Sequence, residues 1–257
     1  MFNRTIEQAV FFSDGLEVVS LTMDGEALIG KKIAARVALS KQAGLPNVGF
    51  ASNGSLMSED KAHELLDVGL DWISFSFDTL DKEVYEVERK RLKYVKTRDY
   101  ILGFLRIRNK GEYKTRVNLR FLDHEKRKES FKEYQEFWGK YLRDGDQVHY
   151  GTVYSWYQHE GFNSEIPLSC SYPQKNIVVL RDGTIPLCCV DFNADVVFGN
   201  IMDTDLIDIW NSEKWQKVRQ LHKQNRGGEV TRCVGCDTPD YEAGRELINV
   251  KEYSVSK

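Results

Sequence analysis

Between residues 16 and 153 the chain alternates short β-branched runs with longer amphipathic ones, and this alternation restricts the fold more than any other feature. Residues 16–21, 47–51, 72–76, 116–121 and 147–153 read as strands. Helices are expected over residues 31–42, from the Ser58 cap to about Val68, from Asp81 onward, over 99–107 and over 125–142. A further helix is expected over residues 5–12. Strands separated by helices of this length pair in parallel, because each crossover returns the chain to the same end of the sheet. The expected class is therefore α/β, with function gathered at the C-terminal strand ends.

Composition removes several alternatives. The chain has 257 residues, 41% of them hydrophobic, which is enough for one large domain or a domain with an appendage. A formal net charge of −3 gives no reason to expect nucleic acid as a partner. No apolar run approaches the roughly 20 residues that cross a bilayer. The opening MFNRTIEQAV is not a secretion signal, so a cytoplasmic location and no membrane partner are expected.

All five cysteines fall late: Cys170, Cys188, Cys189, Cys233 and Cys236. A chain that uses none as core filler over its first 169 residues is using these for a shared purpose. Cys233-Val234-Gly235-Cys236 is a chelating C-x-x-C, and its glycine lets the backbone turn under a metal. Residues 176–180 and 185–190 read as two strands joined by the Asp182-Gly183 turn, which brings Cys170 near the Cys188-Cys189 pair. On a strand only one of that pair faces a given metal, so four ligands plus one odd cysteine is the natural count. Three occupants fit the spacing: a [4Fe-4S] cluster, structural zinc, or disulfides, the last disfavoured by the odd count and absent signal.

The words around the cysteines carry a resemblance. Cys170-Ser-Tyr-Pro, IVVLRDGTIPLCCVDFNADVVFGNI, DLIDIWNSEKWQKVRQLHK and CVGC resemble the SPASM-type auxiliary-cluster domain of radical S-adenosylmethionine (SAM) enzymes. The resemblance implies one auxiliary [4Fe-4S] cluster on Cys170, Cys188, Cys233 and Cys236. Cys188 lies five residues after Gly183, as the ligand does in the family, and is preferred to Cys189 for that reason.

A second resemblance lies at the expected strand ends. Met23-Asp24-Gly25-Glu26-Ala27 is similar to the radical SAM Gly-Gly-Glu-Pro, with Asp24 and Ala27 departing from it. Ser52-Asn53-Gly54 resembles Thr-Asn-Gly, Ser76-Phe77-Asp78 resembles Ser-Ile-Asp, and Tyr85-Glu-Val-Glu-Arg89 resembles Tyr-x-x-x-Arg. Singly each has a plain reading: a turn, a helix cap for Asp78, a solvated charge for Arg89. Taken in order, they imply that Gly25, Glu26, Asn53, Ser76, Asp78 and Arg89 border SAM. The five histidines, among them His149, His159 and His222, show no metal spacing and read as surface or core. Tyr154, Trp156 and Tyr157 follow the last strand and suit either a pocket wall or packing.

The fold so implied is a partial (β/α)6 radical SAM-type barrel over residues 1–155, then a SPASM/twitch-like iron-sulfur domain over 165–245. The family holds its catalytic cluster on Cys-x-x-x-Cys-x-x-Cys after the first barrel strand, and residues 1–257 contain no such motif. A strand and its loop, on the order of 30 residues, are therefore expected to precede Met1 in a longer parent protein. That parent is expected to be an oxidoreductase that generates a 5′-deoxyadenosyl radical to abstract hydrogen from a peptide or a sugar-like small molecule. Its reductant would be a flavodoxin or ferredoxin, and the auxiliary cluster its electron acceptor. The alternative is a catalytically inactive iron-sulfur or zinc protein serving electron transfer or interaction.

Overall fold

The computed structural model describes residues 1–123, 129–152, 169–234, 236 and 247–249. The chain divides into two compact units: Met1–Gly15 with Tyr154–Gly244, and Leu16–Val153 with Arg245–Lys257. The sequence-derived boundary at residues 155–165 falls outside the described residues.

Helix α1, Phe2–Val10, belongs to the unit that carries the cysteines. Gln8 ties it to residues 205–206 of the same unit: its Nε2 donates to Asp205 at 2.8 Å, and its Oε1 accepts from the Leu206 N–H at 2.6 Å. A helix that sequence order assigns to the barrel thus packs with the tail.

The larger unit holds β1 (Val19–Ser20), α2 (Ile33–Gln42), β2 (Val48–Ser52), α3 (Glu59–Asp67) and β3 (Trp72–Phe75). It continues with α4 (Lys82–Glu88), α5 (Tyr94–Lys110), β4 (Arg116–Asp123), α6 (Phe131–Gly139) and β5 (Gln147–Thr152). Strands β1 to β5 lie in sequence order and all pair in parallel, so the unit is α/β as expected. The helix starts follow their caps. Ser58 accepts from the Lys61 N–H at 3.2 Å, and Asp81 accepts from those of Glu83 and Val84 at 2.9 and 3.1 Å. The start of the helix expected over 125–142 lies partly outside the described residues; α6 itself begins at a Ser130–Glu133 capping box.

The sheet has two unlike faces. Val48, Phe50, Ile73, Phe75, Val117, Leu119, Phe121 and Val148 are buried against the helices. Towards the strand ends, most alternate positions are polar or small: Ala51, Ser74 and Asn118 are in register, and so are Arg120 and His149. A parallel sheet covered on both faces by helices is apolar throughout. Here one face is kept hydrophilic, and Asn53 and Ser76 continue its parity beyond β2 and β3.

The smaller unit adds α7 (Tyr172–Lys175), β6 (Thr184–Pro186), β7 (Val197–Asn200), α8 (Leu206–Asn211) and α9 (Glu213–Lys223). Strand β8 (Leu247–Asn249) pairs antiparallel with β5 of the larger unit's sheet. Two expectations need correction. Residues 176–180 form no strand, and the partner of β6 is β7. The turn at Gly183 does form, with φ +92° and its N–H donating to Leu180 O at 2.9 Å. A side chain at 183 would stand 2.6 Å from the Asn200 Oδ1, so glycine is required there. Strand β6 ends at Pro186, so Cys188 and Cys189 sit on a turn rather than a strand. Strand alternation therefore does not limit the pair to one metal-facing thiol. Among the described residues no helix is long and apolar enough to cross a membrane.

Candidate metal centre and strand-end site

Four turns bring the cysteines together. Cys170 precedes α7, and Cys188 follows β6. Cys233 ends a short 3-10 turn over Thr231–Cys233, and the Cys236 N–H donates to Cys233 O at 3.2 Å. Cys188 and Cys233 pack against the buried Leu187, Val218 and Val230. Burial pushes the Cys188 thiol up to about 12, and the charges of Cys189 and Cys236 add to it. Burial also raises Cys233, with further upward pressure from Cys188, Cys236, Cys170 and Asp191. Cys233 therefore feels all three of the other cysteines expected to bind metal with it. The Asp191 N–H donates to Cys188 O at 3.2 Å, and the backbone of Val190 and Asp191 favours the Cys188 thiolate, an effect smaller than that of burial.

Two residues that sequence reading overlooked fasten these turns. Asp191 is fully buried and accepts from the N–H groups of Leu187, Val196 and Asp195 at 3.2, 3.1 and 2.9 Å. Its carboxylate also meets the Arg232 Nε at 3.3 Å, and Arg232 Nη2 donates to Val190 O at 2.6 Å. The pair clamps the turn after Cys188 to the residue before Cys233. An Asp and an Arg 41 positions apart give no local signal of pairing. A third overlooked residue is His222, whose Nε2 lies 3.5 Å from the Cys233 sulfur.

Like-charged, desolvated thiols facing one another are unstable as free thiolates and suit a multivalent cationic centre. Among the described residues no three His, Cys, Asp or Glu side chains surround a point fit for a single metal ion. Four cysteine sulfurs are a donor set that suits an iron-sulfur cluster, as they also suit tetrahedral zinc. Gly235 of the C-x-x-C lies outside the described residues.

In the larger unit the strand-end residues form two groups. Glu26 accepts from the Leu28 N–H at 2.9 Å, Ser52 Oγ at 2.7 Å and the Asn53 N–H at 2.7 Å. It thereby binds the segment after β1 to the end of β2. Gly25 has φ +79°, a conformation that turns the chain into this segment. Asn53 Oδ1 accepts from the Ser55 N–H at 2.9 Å. The Ser76 N–H donates to Ser52 O at 2.8 Å, linking the two groups. In the second, Asp78 is nearly buried and is paired by Arg89, whose Nε stands 3.0 Å away. Arg120 Nε approaches the same carboxylate at 3.5 Å. Asp78 is thus an ion-pair centre rather than a helix cap, and Arg89 is not a free surface charge. Tyr154, Trp156, Tyr157 and His159 lie outside the described residues.

An α/β unit with a polar sheet face and a four-thiol unit in one chain define an iron-sulfur protein of two parts. The chain belongs to the radical SAM superfamily, which it matches over residues 2–136. Residues 170–237 match SPASM, an iron-sulfur cluster-binding domain. These memberships bring SAM and [4Fe-4S] clusters as cofactors. One relative is an S-adenosyl-L-methionine-dependent 2-deoxy-scyllo-inosamine dehydrogenase of Niallia circulans. It is 32% identical over 74 residues, spanning 29% of this chain and 30% of that relative. Among solved structures, BtrN in complex with AdoMet and 2-DOIA superposes with TM-score 0.56 at 19% identity, covering 92% of this chain and 78% of BtrN. Streptococcus suis SuiB gives TM-score 0.59 at 14% identity, covering 93% of this chain and 66% of SuiB. A SuiB structure is also known with the precursor peptide SuiA.

Proposed function

We propose that this chain is the main part of a radical SAM dehydrogenase that oxidises a small, hydroxyl-bearing, sugar-like substrate. The observation that carries the reading is the presence, in one chain, of the ordered strand-end residues and a set of half-buried cysteines. The 32% identity to a SAM-dependent scyllo-inosamine dehydrogenase favours a cyclitol or sugar over a peptide. Cys170, Cys188, Cys233 and Cys236 hold the auxiliary [4Fe-4S] cluster. Gly25, Glu26, Asn53, Ser76, Asp78 and Arg89 border SAM.

When bound, SAM and its reduced cluster supply a 5′-deoxyadenosyl radical, and the auxiliary cluster supplies an electron acceptor. The protein's own work is positioning. Glu26 shapes the segment after β1 through its three hydrogen bonds, so backbone groups there stay aimed at the amino acid end of SAM. The Asp78–Arg89 pair fixes a guanidinium at the mouth of the polar face without leaving a bare buried charge. Cleavage of SAM also needs three further thiolates, and residues 1–257 hold no Cys-x-x-x-Cys-x-x-Cys. A cytoplasmic flavodoxin or ferredoxin is the reductant in this scheme.

The test is anaerobic turnover of the protein translated from the full reading frame, with SAM, dithionite and 2-deoxy-scyllo-inosamine. Formation of 5′-deoxyadenosine together with a ketone product supports the reading. SAM cleavage only with a peptide would move the substrate class. An intact auxiliary cluster with no SAM cleavage under any condition would leave the electron-transfer protein as the function.

A further inference from the structure

Helix α9 buries one face made of Trp215, Val218 and His222, the three- and four-residue spacing that stacks side chains on a helix. Trp215 and Val218 are apolar core. His222 differs: it is 1% exposed, and its Nδ1 has no hydrogen-bond partner among the described residues. A histidine kept for packing alone is expected to satisfy its buried nitrogens, and a leucine would fill the space without the desolvation cost. The other nitrogen, Nε2, points at the Cys233 sulfur at 3.5 Å. A sulfur committed to iron is a thiolate with no proton to give. The contact is then a hydrogen bond in one tautomer, with the proton on Nε2 and none on the partnerless Nδ1.

We propose that His222 donates its Nε2–H to the Cys233 thiolate and thereby raises the reduction potential of the auxiliary cluster. The proposal rests on the assignment of Cys233 to that cluster. Reduction adds one electron from an external donor to the cluster and breaks no bond. The added negative charge spreads onto the sulfurs, and an N–H directed at a sulfur stabilises the reduced form more than the oxidised one. His222 acts through a ligand rather than on substrate, so it is a positioning residue whose effect is read in a potential.

The experiment is a dithionite titration of the anaerobically reconstituted full chain, followed by electron paramagnetic resonance, with iron and sulfide measured on the same samples. His222→Leu is expected to keep its cluster and lower the midpoint potential by about 60 mV, a tenfold change in a one-electron equilibrium. His222→Gln retains an N–H of similar reach and is expected to stay near the unsubstituted protein. Equal potentials at equal iron content would show that His222 merely packs, and the proposal would fall while the cluster assignment stood. No cluster in the unsubstituted chain would remove the assignment itself and the proposal with it. If His222→Leu does not fold, pulsed resonance on the [15N]histidine-labelled protein decides. A histidine nitrogen coupling that disappears in His222→Gln supports the bond, and its absence in the unsubstituted chain overturns it.

Discussion

Asp191 and Arg232 decide whether the two cysteine turns stay in register. Asp191 holds three backbone N–H groups and one guanidinium at a fully buried position. Asp191→Ala removes the acceptor of three backbone N–H groups and leaves Arg232 facing the half-exposed Asp195 at 3.5 Å, a loss of about 3 kcal/mol. Urea unfolding should show that loss, and the variant should come off the column depleted of iron. The cysteines themselves divide. Cys188 packs with Cys233 against Leu187, Val218 and Val230 and Cys189 does not, so Cys188→Ala should lose most of the bound iron while Cys189→Ala keeps it. The reverse pattern in iron analysis would reassign the fourth ligand. Cysteine spacing was legible because thiols are rare and their chemistry is specific. Asp191, Arg232 and His222 were not, because an Asp, an Arg or a His announces no partner until the fold brings one. Glu26 lay between these cases: its motif was readable, but its three hydrogen bonds to Leu28, Ser52 and Asn53 were not. Glu26→Ala should weaken SAM binding at least tenfold, about 1.4 kcal/mol or more, in equilibrium dialysis.

At the scale of elements, β2, β3 and β4 were readable because each buries alternate residues and each is followed by a capped helix. Ser58 and Asp81 cap where expected, and β2 to β5 fall within a residue or two of their sequence bounds. The tail hairpin was misread for a physical reason. Residues 176–180 are β-branched enough for a strand, but β6 spends its pairing on β7, with Thr184 opposite Asn200. Propensity records what a segment tolerates, whereas pairing depends on which partner arrives. At the opposite strand ends from the candidate SAM site, a buried bidentate pair joins α5 to β5. Arg108 meets Asp146 at 2.6 and 2.7 Å, both essentially unexposed. Asp146 also accepts from the Val117 N–H at 2.8 Å, drawing in β4. Arg108→Met should therefore cost about 3–5 kcal/mol in chemical denaturation, while iron content in the folded fraction stays unchanged. Concurrent loss of iron would contradict a purely structural role for the pair.

For the whole molecule, order along the chain is a poor guide to membership of a unit. Helix α1 begins the sequence yet packs with α8, and Phe12 stacks edge-on to Trp210 at 6.5 Å. Contacts some 200 residues apart leave no periodicity for a sequence reading to find. The division into two units predicts that removing iron with a chelator lowers the melting temperature of one calorimetric transition and leaves a second in place. A single transition moving as a whole would show the units to be energetically one. The central claim is that four cysteines of this chain hold an iron-sulfur cluster. Its most direct test is iron, zinc and acid-labile sulfide analysis of the anaerobically purified chain beside its Cys233→Ala variant. About four iron and four sulfide per chain are expected, the content of a [4Fe-4S] cluster, falling sharply in the variant. Stoichiometric zinc without sulfide would contradict it.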